Sequence, residues 1–299
     1  MSAAPAALSR RAALALFAVT PLFFACNMLV SRWNAGAIPS EALAFWRWTT
    51  TLAILLPFSA ERLWRGRDEI RANWRFYLWL GFLGMVVCGA PVYIAGITTT
   101  AMNIGLIYAA SPVLIVLLAW LRYGDPVSPR QAAGIAICLA GTLWIVLRGD
   151  PANALRLDFV PGDLLIVMAM VAWSLYSVLL RHTPTTLDPT TRLAAICTGG
   201  VVANVPFYLY EAFFVAPTPV DLKTAGTVLF VALFPGIGSY LSYSLIVASL
   251  GAATASLVMY LVPLYGAGLA WALLGERLAD FHLVGMSLLL PGLWLGTKR

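Results

Sequence analysis

Charge is scarce in this chain of 299 residues: Lys, Arg, Asp and Glu make up 11% of it, whereas 61% is apolar and the mean hydropathy is +0.85. Soluble domains carry about a quarter charged residues, and no water-exposed fold of this length absorbs so much apolar surface. Histidine is nearly missing, with only His182 and His282, both near the ends of apolar runs. A membrane-embedded enzyme would need His, Asp, Glu or nucleophiles converging at depth, and the acids Glu41, Asp163, Glu211 and Glu276 all fall within a turn or two of a predicted helix end. There, water or headgroups are expected to solvate them, because charge at the bilayer centre is costly. Cysteine is limited to Cys26, Cys88, Cys138 and Cys197, each inside an apolar segment. They read as small buried hydrophobes, and neither a disulfide nor a metal site is expected. The net charge of +6 is not gathered into one basic arm, which argues against a nucleic-acid partner. No P-loop, metalloprotease or nucleophile-elbow motif occurs.

What the chain has is long apolar runs, at about 12–31, 41–60, 75–97, 102–121, 131–147, 162–180, 190–210, 225–248, 253–274 and 281–296. About 20 apolar residues wound as a helix satisfy their own backbone and cross a hydrocarbon layer of ~30 Å. The pattern predicts an all-α integral membrane protein with ten transmembrane helices. Pro39, Pro126, Pro129, Pro151, Pro189, Pro217 and Pro219, with Gly124 and Gly275, punctuate the ends. The first run follows Arg10 and Arg11 and contains Phe24-Ala25-Cys26, which resembles a lipoprotein cleavage box. It continues through Asn27, Met28, Leu29 and Val30, long enough to span, so a retained helix is expected. Loops reach only about 15 residues, too short for a soluble domain.

The cations are unevenly placed. Thirteen (Arg10, Arg11, Arg62, Arg65, Arg67, Arg71, Arg75, Arg122, Arg130, Arg181, Arg192, Lys298 and Arg299) fall on the side of the N-terminus, and five (Arg32, Arg148, Arg156, Lys223 and Arg277) on the other. The positive-inside rule then places both termini in the cytoplasm, with the Arg-rich stretch 61–75 the strongest vote.

An internal repeat is the most specific feature. A shift of 151 residues places Pro112 on Pro263, Trp120 on Trp271, Gly124 on Gly275, Asp125 on Glu276, Gly134 on Gly285 and Gly141 on Gly292. Slightly different shifts pair Tyr93 with Tyr243 and Pro39 with Pro189. The unit is five helices, 1–150 and 151–299, and an odd number of crossings per unit makes the second copy inverted. Inverted repeats recur in secondary transporters, where two equivalent halves exchange conformations about a midplane site.

The run from Gly275-Glu276-Arg277-Leu278 through Asp280-Phe281-His282 to Gly285, preceded by Pro263 and a long apolar helix, resembles the span 9 to span 10 motif of the drug/metabolite transporter superfamily, EamA type. Gly124-Asp125-Pro126 through Gly134 is its weaker echo, Phe45-Trp46-Arg47-Trp48 matches the family's early span 2 arginine, and Tyr93 matches its tyrosine before span 4. The resemblance covers nearly the whole chain and, within the superfamily, is strongest to YddG-like bacterial amino-acid exporters. It implies a cavity among spans 1, 3, 4, 6, 8 and 9 and export of amino acids and related small metabolites across the cell inner membrane. The alternatives are another small metabolite or drug as cargo, or a membrane enzyme. In the first repeat Asp125-Pro126 departs from the family's usual Glu and basic residue, and nothing resembles the Lys and Arg set of the sugar-phosphate branch.

Candidate site residues follow from depth. Trp33, Trp64, Trp74, Tyr123 and Trp294 lie near helix ends and read as interfacial anchors. Phe24, Trp173, Tyr176, Tyr240, Tyr243 and Tyr260 are mid-span, where a phenol or indole needs a partner; any one of them is ordinarily packing. Mid-span Asn27, Asn103, Ser111, Ser174, Ser177, Ser239 and Ser256 are ordinarily helix-to-helix glue. The residues predicted to bind substrate are Phe24, Asn27, Tyr93, Asn103, Tyr108, Trp173, Tyr176, Tyr243, Ser256 and Tyr260. Pro112 and Pro263, which remove a backbone hydrogen bond at equivalent points, are the predicted hinges, and Pro91 and Pro235 do the same elsewhere. Arg47 lies nearly two turns inside span 2 and has two readings: snorkelling or pairing with a carbonyl, or holding an anionic substrate group. Catalytic residues, metals and cofactors are not expected; the partners are small-molecule substrates and the lipid bilayer.

The cation asymmetry makes a prediction. Cysteine tags placed within 61–75 and at 298 should react with a membrane-impermeant reagent only from the cytoplasm, and one near 153 only from outside. Labelling of all three from one side would refute the inverted arrangement.

Overall fold

The computed structural model describes residues 8–34, 36–99, 101–156, 160–274 and 279–297. The motif residues Gly275, Glu276, Arg277 and Leu278, the terminal Lys298 and Arg299, and the side chains of Arg32 and Trp33 lie outside the described residues.

All ten apolar stretches fold as helix, and no strand occurs among the described residues. The first half comprises α1 (Arg10–Asn34), α2 (Ser40–Arg65), the short α3 (Arg67–Ala72), α4 (Trp74–Gly81), a π-helical turn (Phe82–Val87), α5 (Ala90–Thr98), α6 (Ala101–Tyr108), α7 (Ser111–Tyr123) and α8 (Pro129–Val146). After a 3-10 turn (Pro151–Arg156), the second half comprises α9 (Pro161–His182), α10 (Pro189–Phe214), α11 (Leu222–Val231), a second π-helical turn (Ala232–Gly238), α12 (Ser239–Leu250), α13 (Ala252–Ser256), α14 (Val258–Leu274) and α15 (Asp280–Thr297). Among the described residues, six segments are long and apolar enough to cross a membrane: Trp74–Thr98, Pro129–Val146, Pro161–His182, Pro189–Phe214, Leu222–Leu250 and Ala252–Leu269.

Local chemistry explains where the helices begin and stop. Ser128, Asp188 and Asp221 cap α8, α10 and α11, each side-chain oxygen accepting from a backbone N–H of the first turn. Pro129, Pro161 and Pro189 occupy first-turn positions, where a missing N–H costs nothing. Helix α2 starts after Pro39, which has no capping side chain; the carboxylate of Glu211 on α10 takes that place and accepts from the N–H groups of Glu41 (3.2 Å) and Ala42 (2.7 Å). Gly124 ends α7 in the left-handed conformation at φ 69°, where a Cβ would be strained.

The duplication is visible in the helices. Both π-helical turns begin at corresponding places, 82 and 232; α2 and α10 are each 26 residues long, and α8 and α15 each 18. Packing is exchanged between halves: α1 packs on α12 and α14, and its counterpart α9 packs on α5 and α7. Corresponding helices meet and run antiparallel. Phe45 near the start of α2 stacks on Tyr208 near the end of α10, with ring centroids 4.3 Å apart, while Arg62 near the end of α2 reaches Asp188 at the start of α10. Likewise Gly134 of α8 faces Gly292 and Gly296 of α15, and Gly141 faces Gly285. The glycines aligned by the 151-residue shift therefore touch across one seam. A Cβ on Gly134 would lie 2.5 Å from the Gly296 backbone nitrogen, so only glycine permits this approach.

Two expected helices are interrupted. The stretch 102–121 breaks at Ala109 and Ala110 into α6 and α7, because Pro112 has no N–H to donate and disfavours helical backbone just before it. The stretch 253–274 breaks at Leu257, whose N–H bonds back to Thr254 at 3.2 Å in a tightened turn.

Enlarging the α8–α15 seam should cost stability. Gly141→Leu or Gly285→Leu is expected to destabilise the folded protein by about 1–3 kcal/mol or more, read as a lower melting temperature in detergent. Gly226→Ala, where an added Cβ meets nothing within 4 Å, should leave it unchanged.

Candidate substrate site

The aromatic residues expected at depth assemble between four helices, two from each half. Phe24 (α1) meets Trp173 (α9) edge-on at 5.4 Å and Tyr243 (α12) at 6.3 Å between centroids. Trp173 also lies 4.9 Å from Tyr243 and stacks on Tyr176 at 5.4 Å. Two residues absent from the predicted site complete the group. Tyr240 touches both Trp173 and Tyr176, and Trp48 (α2) meets Tyr240 edge-on at 4.7 Å. The separations and tilts are those that aromatic quadrupoles favour. Tyr243 donates to Ser177 at 3.0 Å, and Tyr240 donates to the Gly84 carbonyl, which lies in the first π-helical turn. The indole N–H groups of Trp48 and Trp173 are buried without an acceptor among the described residues.

Arg47 borders this group and is 3% exposed. Its guanidinium stands 4.6 Å over the Trp48 ring. One terminal nitrogen donates to Asn27 Oδ1 and Tyr93 Oη, both at 3.2 Å, and the other donates to the Pro235 carbonyl at 2.7 Å. Tyr93 in turn donates to Asn27 at 2.9 Å. The Pro235 carbonyl lies in the second π-helical turn and also accepts from the Ser239 hydroxyl, and Thr51 donates to the Ala232 carbonyl of the same turn at 3.2 Å. Of the first reading of Arg47, the snorkelling arm does not hold and the carbonyl arm does: the head is buried and bonded to the Pro235 carbonyl.

The remaining predicted residues lie elsewhere. Asn103 donates to the Asp163 carboxylate at 2.9 Å, and Thr99 donates to the same group. Asp163 is 3% exposed and also accepts from the Val160 N–H at 2.8 Å, capping α9. The expectation that water or headgroups solvate Asp163 therefore fails, because three donors from α9 and the α5–α6 region replace water. Ser256 is buried with its hydroxyl on the Ala253 carbonyl of its own helix (2.8 Å). Tyr260 is fully buried on α14, where its backbone carbonyl accepts from Thr142 of α8 at 3.4 Å. Tyr108 is half-buried at the end of α6. Pro112 sits in the first turn of α7, just after the helix interruption at Ala109 and Ala110, whereas Pro263 lies within the unbroken α14. Pro91 likewise opens α5, and Pro235 lies inside the second π-helical turn. A cavity of about 190 Å³ lies away from the rings, lined by Leu8, Arg10, Ser249, Leu250, Thr254 and Thr297.

Polar ties between the halves cluster at two ends. At one end, Glu211 caps α2, and Asp163 holds Thr99 and Asn103. At the other, Arg62 reaches Asp188 at 3.3 Å, and His182 lies 3.1 Å from both Asp125 oxygens while stacking on Tyr123. At that same end, Glu69 of α3 accepts from the hydroxyls of Thr185 and Thr186 and from the Thr186 N–H (3.1 Å), with Tyr77 at 3.4 Å. Burial pushes the Glu69 carboxyl upward, but these bonds outweigh it and hold the group below its ordinary value. Asp188 is held low in the same way: burial opposes ionisation, and the Thr191 hydroxyl and N–H together with Arg62 favour it.

Duplicated, apolar, antiparallel helical halves around a buried aromatic and arginine core define a multi-pass membrane protein of the transporter type. The EamA-like transporter family matches residues 11–147 and 160–297, and the chain belongs to it. Among its relatives, the uncharacterized transporter YyaM of Bacillus subtilis is 25% identical over 274 residues, covering 91% of this chain and 88% of that protein. A probable terminal-alkyne amino-acid exporter of Streptantibioticus cattleyicolor is 28% identical over 194 residues (65% and 63%). The aromatic amino acid exporter YddG of Ancylobacter novellus is 26% identical over 190 residues (62% and 64%). A solved crystal structure with 22% identity superposes with a TM-score of 0.73 over 97% of each chain, a likeness of fold.

The ties of Glu69 and Asp188 carry a pH dependence. A carboxyl held below its unfolded value stabilises the fold above that value, near pH 4, and loses the contribution as pH falls through the lower folded one. The melting temperature should therefore drop on acidification below about pH 4, and the drop should be shallower in Glu69→Gln, which is already weakened at pH 7.

Proposed function

We propose that this protein exports amino acids, aromatic and other neutral ones, and related small metabolites across the cell inner membrane by alternating access. The observation that carries this reading is the shared core: Phe24 and Trp48 from one half and Trp173, Tyr176, Tyr240 and Tyr243 from the other pack into one group, with Arg47 at its edge. Ring faces accept apolar side chains over a range of sizes, and hydroxyl, amide and guanidinium groups suit an amino acid's charged ends. The rings pack on one another, so cargo enters as they part. Relatives named as exporters of aromatic and alkyne amino acids support the substrate class.

In this reading all ten apolar stretches cross the bilayer, both termini are cytoplasmic, and the antiparallel halves exchange roles as the site turns from one face to the other. Cross-half ties at both ends suit that cycle, since one set must open when the other closes. The break before Pro112 and the proline at 263, which removes one hydrogen bond from α14, are the points at which α7 and α14 would pivot. Asn103, Ser256, Tyr260 and Tyr108 lie away from the rings in this conformation, and in this reading they meet cargo along its path as the halves move.

Uptake of labelled amino acids into proteoliposomes tests the proposal. Trp173→Ala and Tyr243→Ala should reduce transport of phenylalanine and tryptophan about tenfold or more, the scale of a lost aromatic contact, and that of alanine or serine far less. Equal losses for all substrates, or transport of a single phosphorylated compound only, would refute the aromatic-wall reading.

A further inference from the structure

Arg47 poses a problem of charge that the fold does not solve. A guanidinium cannot shed its proton inside a protein, and a buried cation is expensive unless an anion balances it. Arg47 is 3% exposed, yet its acceptors are all neutral: an amide oxygen, a phenol and a backbone carbonyl. No carboxylate pairs with it among the described residues, and its Nε–H is buried without a partner. The indole N–H groups of Trp48, which lies against the guanidinium, and of Trp173 in the same ring group are buried donors that also have no acceptor among the described residues. Three unanswered donors, one of them cationic, next to an aromatic group fit a ligand that carries an oxyanion on an apolar or aromatic body.

We propose that Arg47 anchors the substrate carboxylate, with the Pro235 carbonyl and Asn27 holding the guanidinium in place when no carboxylate is bound. The proposal rests on the export reading above and deepens it. A planar carboxylate accepts two parallel N–H bonds from a guanidinium. Pairing through Nε and the terminal nitrogen on its edge engages the nitrogen that bonds Pro235, and leaves the other terminal nitrogen its bonds to Asn27 and Tyr93. Since that carbonyl belongs to the π-helical turn before α12, which carries Tyr240 and Tyr243, carboxylate capture bears directly on the helix that supplies the aromatic wall. The site thus selects for an acid group on the cargo and is indifferent to the remainder, within the size the rings admit.

The test is binding to the full-length protein in nanodiscs, measured by calorimetry at constant ionic strength with matched compounds. These are phenylalanine and 3-phenylpropionate, which carry a carboxylate, and phenylalaninamide and phenethylamine, which do not. The wild-type protein should prefer the two acids by about tenfold or more, the scale of one charge-assisted bond, and Arg47→Gln should bring the ratio to about one. Asn27→Asp, which retains the guanidinium but gives it an internal counter-charge, should abolish the preference as well and serves if Arg47→Gln does not fold. An unchanged acid-to-amide ratio in either folded variant, or no preference in the wild type, would overturn the proposal. Chloride that raises the wild-type melting temperature as much as 3-phenylpropionate, with both effects lost in Arg47→Gln, would overturn it in favour of an inorganic-anion site. Binding is read here without transport. Failure of these compounds to be carried would therefore count against the export reading alone, while transport without an Arg47-dependent preference would count against the anchor alone.

Discussion

The hydrogen bond of 2.7 Å from Arg47 to the Pro235 carbonyl is the contact on which the centre of this protein turns. In a low-dielectric interior each backbone group must find a partner, and a helix that departs from regularity must find some of its partners elsewhere. Both halves depart from regularity at corresponding places, Phe82–Val87 and Ala232–Gly238. Carbonyls of these turns then receive side chains from the opposite half: Gly84 takes the Tyr240 hydroxyl, and Pro235 and Ala232 take Arg47 and Thr51. Irregular backbone at depth is thus tied across the two halves, and a cation is retained where the aromatic rings converge.

The antiparallel pairing supplies the frame for this exchange. Where α8 meets α15, glycines related by the repeat bring backbones close enough that a Cβ would collide, giving an association of van der Waals contacts that needs no hydrophobic driving force. Where α2 meets α10, the Glu211 carboxylate of one helix completes the first turn of the other. The polar ties at the two ends are weaker. The Arg62 side chain is 61% exposed, and such pairs contribute ~0–1 kcal/mol. The seams are thus tight and the ties at the ends weak.

Much of the candidate site was legible because depth and residue type are both written in the chain. Phe24, Trp173, Tyr176 and Tyr243 were marked as aromatic residues far from helix ends, and they meet. Asn27 and Tyr93 were marked too, but their convergence on Arg47 was not. Trp48 escaped notice because it follows Arg47 in a stretch read through the arginine alone; its adjacency to a cation so far inside a helix was the available signal. Asp163 misled for a different reason. Distance from a helix end measures depth along the axis but not exposure around it, and neighbours from α5 and α6 close over that end.

The sequence by itself determined the helical class, the positions of the apolar segments, the duplication and the inventory of polar groups at depth. All of these follow from hydropathy, proline and glycine placement, and internal alignment, which are properties of short windows or of the chain compared with itself. Tertiary structure decided which face of each helix meets which partner. A one-residue rotation turns a helical side chain by about 100°, and in lipid an apolar residue is equally acceptable facing a neighbour or the bilayer, so periodicity leaves little trace of the choice. The side chains that reach the carbonyls of the π-helical turns and the partners of Arg47 depend on close approach between segments separated by many tens of residues. Those approaches exist only once the two halves have folded against each other.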